Sequence, residues 1–204
     1  NIIFNCMLKQ KIEIPSIILH TKFLPHELIK NDLLQMFEED VRKKYVVKNK
    51  SSSDNIKTDW PDSANMNRAW IKKYLPKLQK HFKDCANELG FEDFIIMNMW
   101  YQQYQLTGTH GWHVHFHNYT GVYYVEFDQE ENPKTEFLYP QNQNKSFTID
   151  IKEGDLVVFP STIIHRSGIN LSNKRKSIIS FNLNFKKKLN VFNNKFFSDI
   201  VKVY

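Results

Sequence analysis

The sequence has little glycine, few cysteines and no long apolar run. Only 6 of its 204 residues are glycine, so flexible glycine-rich linkers are not expected. Two cysteines, Cys6 and Cys85, do not form a disulfide framework, and we expect reduced thiols in a cytoplasmic protein. No apolar stretch approaches the ~20 residues of a membrane-spanning helix, so no membrane partner is expected. The N-terminal residues also lack the basic and small-residue pattern of a signal peptide.

Aromatic residues are abundant and the net charge is positive. The chain is 41% hydrophobic with 16 Phe and 9 Tyr residues, which indicates a folded core rather than a disordered chain. The net charge of +6 is compatible with nucleic acid as a partner. Much of the excess lies in surface-type clusters such as Lys186-Lys187-Lys188, so a solvated basic face is the favoured interpretation.

The order of patterns along the chain predicts two helices followed by a series of strands. Apolar residues recur at helical spacing over about 25–45 and 67–89, where Gly90 fits the C-terminal cap. Residues 48–64 are polar and predict an exposed loop. Short β segments with turn residues between them are then expected at 94–106, 120–127, 136–139, 147–151, 155–159 and 177–185. We expect one domain that is mainly β with N-terminal helices: a helical part over 1–90, a β core over 91–186 and a C-terminal extension over 187–204.

Half of the eight histidines lie within eight residues, at His110, His113, His115 and His117. Side chains two residues apart on a strand project from the same face, so His113 and His115 are expected side by side. His165 follows a later apolar strand that can lie alongside. Imidazole is the commonest protein ligand of first-row transition metals. The pattern predicts a metal centre of His113, His115 and His165, with the pair His115 and His117 as an alternative.

The residues that alternate with these histidines have a different expected role. Trp112 and Phe116 point to the opposite face of an extended strand and are expected to pack against neighbouring elements. The sequence contains no hydrolase-type triad. We therefore expect no catalytic residue outside the metal centre.

Two segments resemble Fe(II)/2-oxoglutarate-dependent oxygenases. Residues Gly154 to Ser161, followed by His165, match a G-D-x-x-x-F-P-S-x-x-x-H pattern. The H-x-H of His113 to His115, followed by G-V-Y-Y-V at Gly121 to Val125, is similar to a small bacterial and phage branch of this superfamily. The resemblance covers about residues 94–186.

The resemblance implies a double-stranded β-helix, or jelly roll, buttressed by the two helices. It implies Fe(II), 2-oxoglutarate as co-substrate, and dioxygen. The expected reaction is hydroxylation of an unactivated C–H bond with release of succinate and carbon dioxide. The family usually has a carboxylate where this sequence has His115. Glu126 and Asp128 are the carboxylates that would replace it, but both are expected in solvent at a strand end.

The resemblance also implies a cation for the distal carboxylate of 2-oxoglutarate. Arg175 is favoured because it lies ten residues after His165 and forms an R-x-S pair with Ser177. Strand parity instead groups Lys176 with Asn182, so Lys176 stays an alternative anchor.

The strand over 94–106 is expected to seat the co-substrate through a Tyr or polar residue, here Tyr104 and Gln102. Four further residues are candidates for substrate or supporting contacts: His117, Trp100, Arg166 and Asn182. The substrate stays open between a protein side chain, a nucleobase and a small metabolite. Two other functions fit the same pattern, namely a cupin-type metal enzyme that does not use 2-oxoglutarate and a non-catalytic jelly-roll binding module.

Overall fold

The computed structural model describes residues 16–44 and 55–187. Both predicted helices are present, with α1 at His26–Lys44 and α2 at Ala69–Glu88. Cys6 and nearly all of the expected extension over 187–204 lie outside the described residues. The strands are β1 (Leu19–Lys22), β2 (Ile56–Thr58), β3 (Asp93–Tyr104), β4 (His110–His113), β5 (Tyr119–Glu126), β6 (Thr135–Tyr139), β7 (Asn142–Thr148), β8 (Asp155–Pro160), β9 (His165–Ser167) and β10 (Lys176–Lys186).

The strands form two antiparallel sheets that face each other. The larger sheet has the order β1-β8-β5-β10-β3-β2, and the smaller one has the order β4-β9-β6-β7. Buried aromatic and aliphatic side chains fill the space between them, including Tyr104, Tyr124, Phe137 and Phe159. This arrangement is the predicted double-stranded β-helix, with β4 and β2 as outer strands of their sheets.

The two helices cover the outer face of the larger sheet, as the sequence predicts. Trp70, Tyr74, Leu78 and Phe82 repeat every four residues along α2 and are all buried, because this spacing places them on one side of the helix. A second core cluster joins them to α1 and to the outward-facing residues of the larger sheet. Gly90 follows α2 with φ of 77°, the left-handed conformation expected of a C-terminal cap.

Gly121 lies at the centre of the larger sheet, where β5 pairs with both β8 and β10. A Cβ atom at this position would lie 2.6 Å from the carbonyl oxygen of Val157 and would overlap the ring of Phe181. Only glycine therefore allows Phe181 to pack directly against the backbone of β5. This contact explains why the G-V-Y-Y-V segment begins with glycine.

Two strands, β7 and β2, differ from the sequence prediction. The strand expected at 147–151 instead begins at Asn142 and ends at Thr148, because β7 is an exposed outer strand with polar residues that resemble a turn. The strand β2 lies within residues 48–64, which the sequence predicts as a loop. No described helix is both long and apolar enough to cross a membrane.

Candidate metal centre

Three histidines converge at the edge between the two sheets. The pairing of β4 with β9 places His113 directly opposite His165. His115 follows two residues after the end of β4, and its backbone N–H donates to the carbonyl oxygen of Ser161 at 3.0 Å. One ligand atom from each of the three side chains lies within 4.8 Å of the others. His113 and His115 do not share one continuous strand face as predicted, because the chain leaves the strand after His113.

Backbone carbonyls orient two of the three imidazoles. The Nδ1 atom of His113 donates to the carbonyl oxygen of Gly111 at 2.7 Å, and that of His165 donates to the carbonyl oxygen of Ile163 at 2.9 Å. Because a carbonyl oxygen only accepts, each Nδ1 carries the proton and each Nε2 keeps its lone pair. This is the usual way in which a second contact fixes the tautomer of a metal-binding histidine.

All three imidazoles are neutral near pH 7. Burial lowers the pKa of His165 to about 3 and that of His115 to about 4, and the neighbouring histidines add to this effect. Burial also lowers the pKa of His113. Metal binding requires the neutral form, so these side chains need not lose a proton first. The donor set therefore fits a first-row transition metal ion that keeps open positions for other ligands.

No carboxylate belongs to this group within the described part of the chain. Glu126 accepts hydrogen bonds from Arg175 and Ser177, and Asp128 pairs with Lys174 at 2.6 Å. Both carboxylates are engaged in these contacts, and neither belongs to the histidine group. His117 also lies outside the group, although it lines an adjacent cavity.

The segment that contains the three histidines matches a known protein family. Residues 98–182 match the model of a family described as "Putative 2OG-Fe(II) oxygenase". The predicted resemblance is confirmed over this segment. Fe(II) and 2-oxoglutarate, the cofactors expected from the sequence, are those that give this family its description. Among curated proteins, none matches the sequence.

Several solved structures share the fold at low sequence identity. An α-ketoglutarate-dependent epimerase from nogalamycin biosynthesis is 9% identical, with a TM-score of 0.64 over 82% of this chain and 76% of the epimerase. A prolyl hydroxylase from Trichoplax adhaerens, in complex with a peptide fragment, is 17% identical, with a TM-score of 0.58 over 84% of each chain. HygX from Streptomyces hygroscopicus, with nickel and 2-oxoglutarate bound, is 8% identical, with a TM-score of 0.56 over 84% of this chain and 83% of HygX.

Lys176 lies between the two sheets and is fully buried. Its Nζ atom donates to the carbonyl oxygen of Pro133 at 2.7 Å and to Ser167 Oγ at 2.9 Å, and it lies 5.2 Å from the ring centre of Tyr104. None of its hydrogen-bond partners in the described chain is a carboxylate. Burial lowers the pKa of the ammonium to about 7, because no negative charge compensates the loss of water.

Arg175 faces the opposite side of the sheet. Its guanidinium forms an ion pair with Glu126 at 2.7 Å and a second one with Glu38 of α1. Ser177 donates to the same Glu126 at 2.8 Å. The sequence preference for an R-x-S anchor made of Arg175 and Ser177 is therefore opposed by the structure. Adjacent strand residues point in opposite directions, and it is Lys176 that points toward the space between the sheets.

A narrow cleft runs from the three histidines toward the partners of Lys176. Tyr104, Gln102 and Ser167 line this cleft, together with residues of β5 and β9. The Nε2 atom of Gln102 is 3.4 Å from Nδ1 of His110. The Oε1 atom of Gln102 accepts a hydrogen bond from Ser180 Oγ at 3.2 Å. Both residues predicted to seat the co-substrate, Tyr104 and Gln102, thus lie between the histidines and the buried ammonium.

A larger cavity of about 440 Å³ adjoins this cleft at His113 and His115. It includes three of the residues predicted for substrate or supporting contacts, namely His117, Trp100 and Asn182. The fourth, Arg166, lines the narrow cleft instead and forms two hydrogen bonds with Glu136 at 2.9 and 3.1 Å.

The expected packing role is wrong for Phe116, whereas Trp112 is partly exposed and packs against Arg166 of β9. Phe116 is 99% exposed at the cavity and Trp112 is 40% exposed, with its ring centre 4.4 Å from the guanidinium carbon of Arg166. The strand ends at His113, so strict alternation no longer decides where Phe116 points.

Three residues around the centre have no role in the sequence analysis. His110, a member of the histidine cluster, stacks on His113 with ring centres 4.0 Å apart, while Tyr124 and Pro133 contact the Lys176 ammonium. Tyr124 and Pro133 come from a different strand and a loop, so local spacing gives no signal for their contact with Lys176. The alternation of Lys176 with Ser180 and Asn182 along β10 was the one pattern that indicated the inward-facing cation.

Proposed function

We propose that this protein is an Fe(II)- and 2-oxoglutarate-dependent dioxygenase that hydroxylates an unactivated C–H bond. One observation carries the proposal: two of the three neutral histidines, His113 and His115, line two adjacent cavities, and His165 completes the group from the narrow one. The narrow one leads toward a buried ammonium that lacks a carboxylate partner, and the wide one opens to solvent. Two separate spaces at one metal centre suit an enzyme that must hold a co-substrate and a substrate together.

His113, His115 and His165 are the residues that would hold Fe(II). When bound, the metal supplies the activation of dioxygen that is coupled to oxidative decarboxylation of 2-oxoglutarate. The chain itself contributes the orientation of the ligands. The carbonyls of Gly111 and Ile163 fix two of the rings, so both Nε2 atoms are directed before any metal binds.

Lys176 is the residue that we assign to the distal carboxylate of 2-oxoglutarate. A carboxylate beside its ammonium would supply the missing negative charge and favour the protonated form. The hydroxyl of Ser167 and the ring of Tyr104 already hold the ammonium in place. The free volume of the cleft is only about 30 Å³, so we expect its lining side chains to shift when the dicarboxylate enters.

Hydroxylation is proposed rather than epimerisation because of what lines the larger cavity. An epimerase must return a hydrogen atom to the opposite face of the reacting carbon, and tyrosine and cysteine are suitable donors. Among the described residues that line this cavity, none is Tyr or Cys. The lining therefore offers no such donor beside the metal centre.

The test is the conversion of 2-oxoglutarate to succinate under air by the Fe(II)-loaded protein, with a filtered cell extract as a source of substrates. We expect succinate only when Fe(II) and dioxygen are both present, and a loss of at least about a hundredfold in His165→Ala. An iron-loaded protein that binds 2-oxoglutarate but forms no succinate above the protein-free rate would contradict the proposal. Turnover of an extract component without consumption of 2-oxoglutarate would favour the cupin-type reaction.

A further inference from the structure

Two residues that line the larger cavity each carry a polar atom that is closed to solvent and has no hydrogen-bond partner among the described residues. The two atoms are Nε1 of Trp100, a donor, and Oδ1 of Asn182, an acceptor. The two side chains are 3% and 4% exposed, and both line the cavity. Buried polar atoms are nearly always paired, so each unpaired one calls for an explanation. A bound substrate that supplies one acceptor and one donor would provide it.

The donor and the acceptor are neighbours on one sheet face. Strands β3 and β10 pair Asn98 with Asn182 and Trp100 with Ser180. The Nδ2 atom of Asn182 donates to Asn98 Oδ1 at 2.6 Å, and Trp100 is two residues from Asn98 on the same strand face. Trp100 and Asn182 are thus diagonal neighbours across two paired strands. A donor beside an acceptor on one wall is complementary to the C=O and N–H of one residue in an extended peptide, because these two groups point to the same side of the chain.

The rest of the cavity is uncharged and partly apolar. Among the described residues that line it, none is Lys, Arg, Asp or Glu. Phosphate groups are recognised mainly by arginine and lysine, so this lining does not suit a nucleic acid backbone. Trp60, 60% exposed, and Phe116 provide apolar surface at the cavity. These features favour an uncharged chain with amide groups.

One outer strand from each of the two sheets contributes to this cavity. Ile56 and Thr58 belong to β2, the last strand of the larger sheet, and His110 and His113 belong to β4, the last strand of the smaller one. Within the described chain, each of these strands is paired on one side only. An outer strand offers backbone groups to an extended peptide, a common way of binding polypeptides.

We propose that the substrate is an extended, uncharged segment of a polypeptide. The C=O of one of its residues accepts from Trp100 Nε1 and the N–H of the same residue donates to Asn182 Oδ1, which places a neighbouring residue beside the histidines. This inference rests on the proposed function, because it takes the larger cavity as the substrate side of the metal centre.

The experiment follows the indole N–H signal of Trp100 by NMR in ¹⁵N-labelled protein, with Zn²⁺ as a diamagnetic stand-in for Fe(II). The probe is a pool of acetylated, amidated hexapeptides made of Ala, Ser, Asn, Pro and Val, added with and without 2-oxoglutarate. A ten-residue thymidine oligonucleotide is the competing probe. Since no turnover is needed, failure of peptide binding is distinguished from failure of the oxygenase reaction, which the succinate assay reports.

We expect the peptide pool to shift the Trp100 signal. Loss of one hydrogen bond should weaken apparent affinity about tenfold in Asn182→Leu, and Trp100→Phe should do the same in a competition assay. Trp112→Phe, an exposed tryptophan outside the cavity lining, is the matched control and should bind as the wild type does. Retained Zn²⁺ affinity shows that each variant is folded. Equal peptide affinity in all variants, a shift with the oligonucleotide alone, or no shift with either probe would overturn the proposal.

Discussion

Replacement of Lys176 by methionine tests the assignment of the co-substrate site. Methionine has a similar length and fills the same space between the rings of Tyr104 and Tyr124, but it carries no charge. A hydrogen bond to a charged group contributes about 1.5–3 kcal/mol. We therefore expect the Kd for 2-oxoglutarate to rise roughly 10- to 150-fold. Isothermal titration of the anaerobic, Fe(II)-loaded protein measures this change directly.

The same substitution should have little effect on stability. It removes a buried ammonium that has no carboxylate partner, which is favourable, but it also leaves Pro133 O and Ser167 Oγ without a donor. These opposing effects are each about 1–3 kcal/mol, so we expect the free energy of unfolding to change by less than about 2 kcal/mol. Denaturant unfolding separates this outcome from a purely structural role, in which stability falls and the Kd is unchanged.

Arg175→Met is the matched control, because it removes the neighbouring cation. It breaks the ion pairs with Glu126 and Glu38 on the helix side of the sheet. The Kd for 2-oxoglutarate should stay within about threefold of the wild type, because Arg175 faces away from the cleft that leads to Lys176. A larger rise in Kd for Arg175→Met than for Lys176→Met would refute the assignment and restore the R-x-S anchor.

Three further outcomes follow from the structure. Burial lowers the pKa of free Lys176 to about 7, and a bound carboxylate raises it, so binding takes up a proton above pH 7. The Kd for 2-oxoglutarate should then rise up to about tenfold per pH unit from 7 to 9, and a flat profile in calorimetry would show that the ammonium is not involved. His165→Ala should abolish stoichiometric Fe(II) binding, measured by metal analysis after gel filtration, while His117→Ala retains it; normal iron content in His165→Ala would remove this residue from the ligand set. Gly121→Ala should lower the free energy of unfolding by about 1–3 kcal/mol or more, because the added Cβ overlaps the Phe181 ring and Val157 O. Gly111→Ala, where a Cβ meets nothing within 4 Å, is its control in thermal unfolding, and equal melting temperatures would contradict the packing argument.

The helices and the main strands could be predicted because periodicity reports burial directly. The stripe of Trp70, Tyr74, Leu78 and Phe82 is visible in the sequence and packs as expected. The group of three histidines could also be predicted from the sequence, because histidines at this spacing have few roles other than metal binding. The helix stripe is a local pattern in the sequence, and the histidine group combines two short motifs.

The orientation of the cation could not be decided by counting residues. Arg175 and Lys176 are adjacent, and which of them faces inward depends on where β10 begins and on the register shift next to Ser177. The role of Phe116 was missed for a related reason. Its alternation with the histidines holds only while the strand continues, and the end of β4 at His113 is set by its pairing with β9.

The most direct test of the metal centre is an anaerobic Fe(II) titration with and without 2-oxoglutarate, followed by visible absorption. We predict a weak charge-transfer band that needs both Fe(II) and 2-oxoglutarate, is absent in His165→Ala and requires more 2-oxoglutarate in Lys176→Met. Iron binding without this band at saturating 2-oxoglutarate would contradict the account and favour a metal enzyme that does not use this co-substrate. A protein that binds no Fe(II) would leave only the non-catalytic binding module.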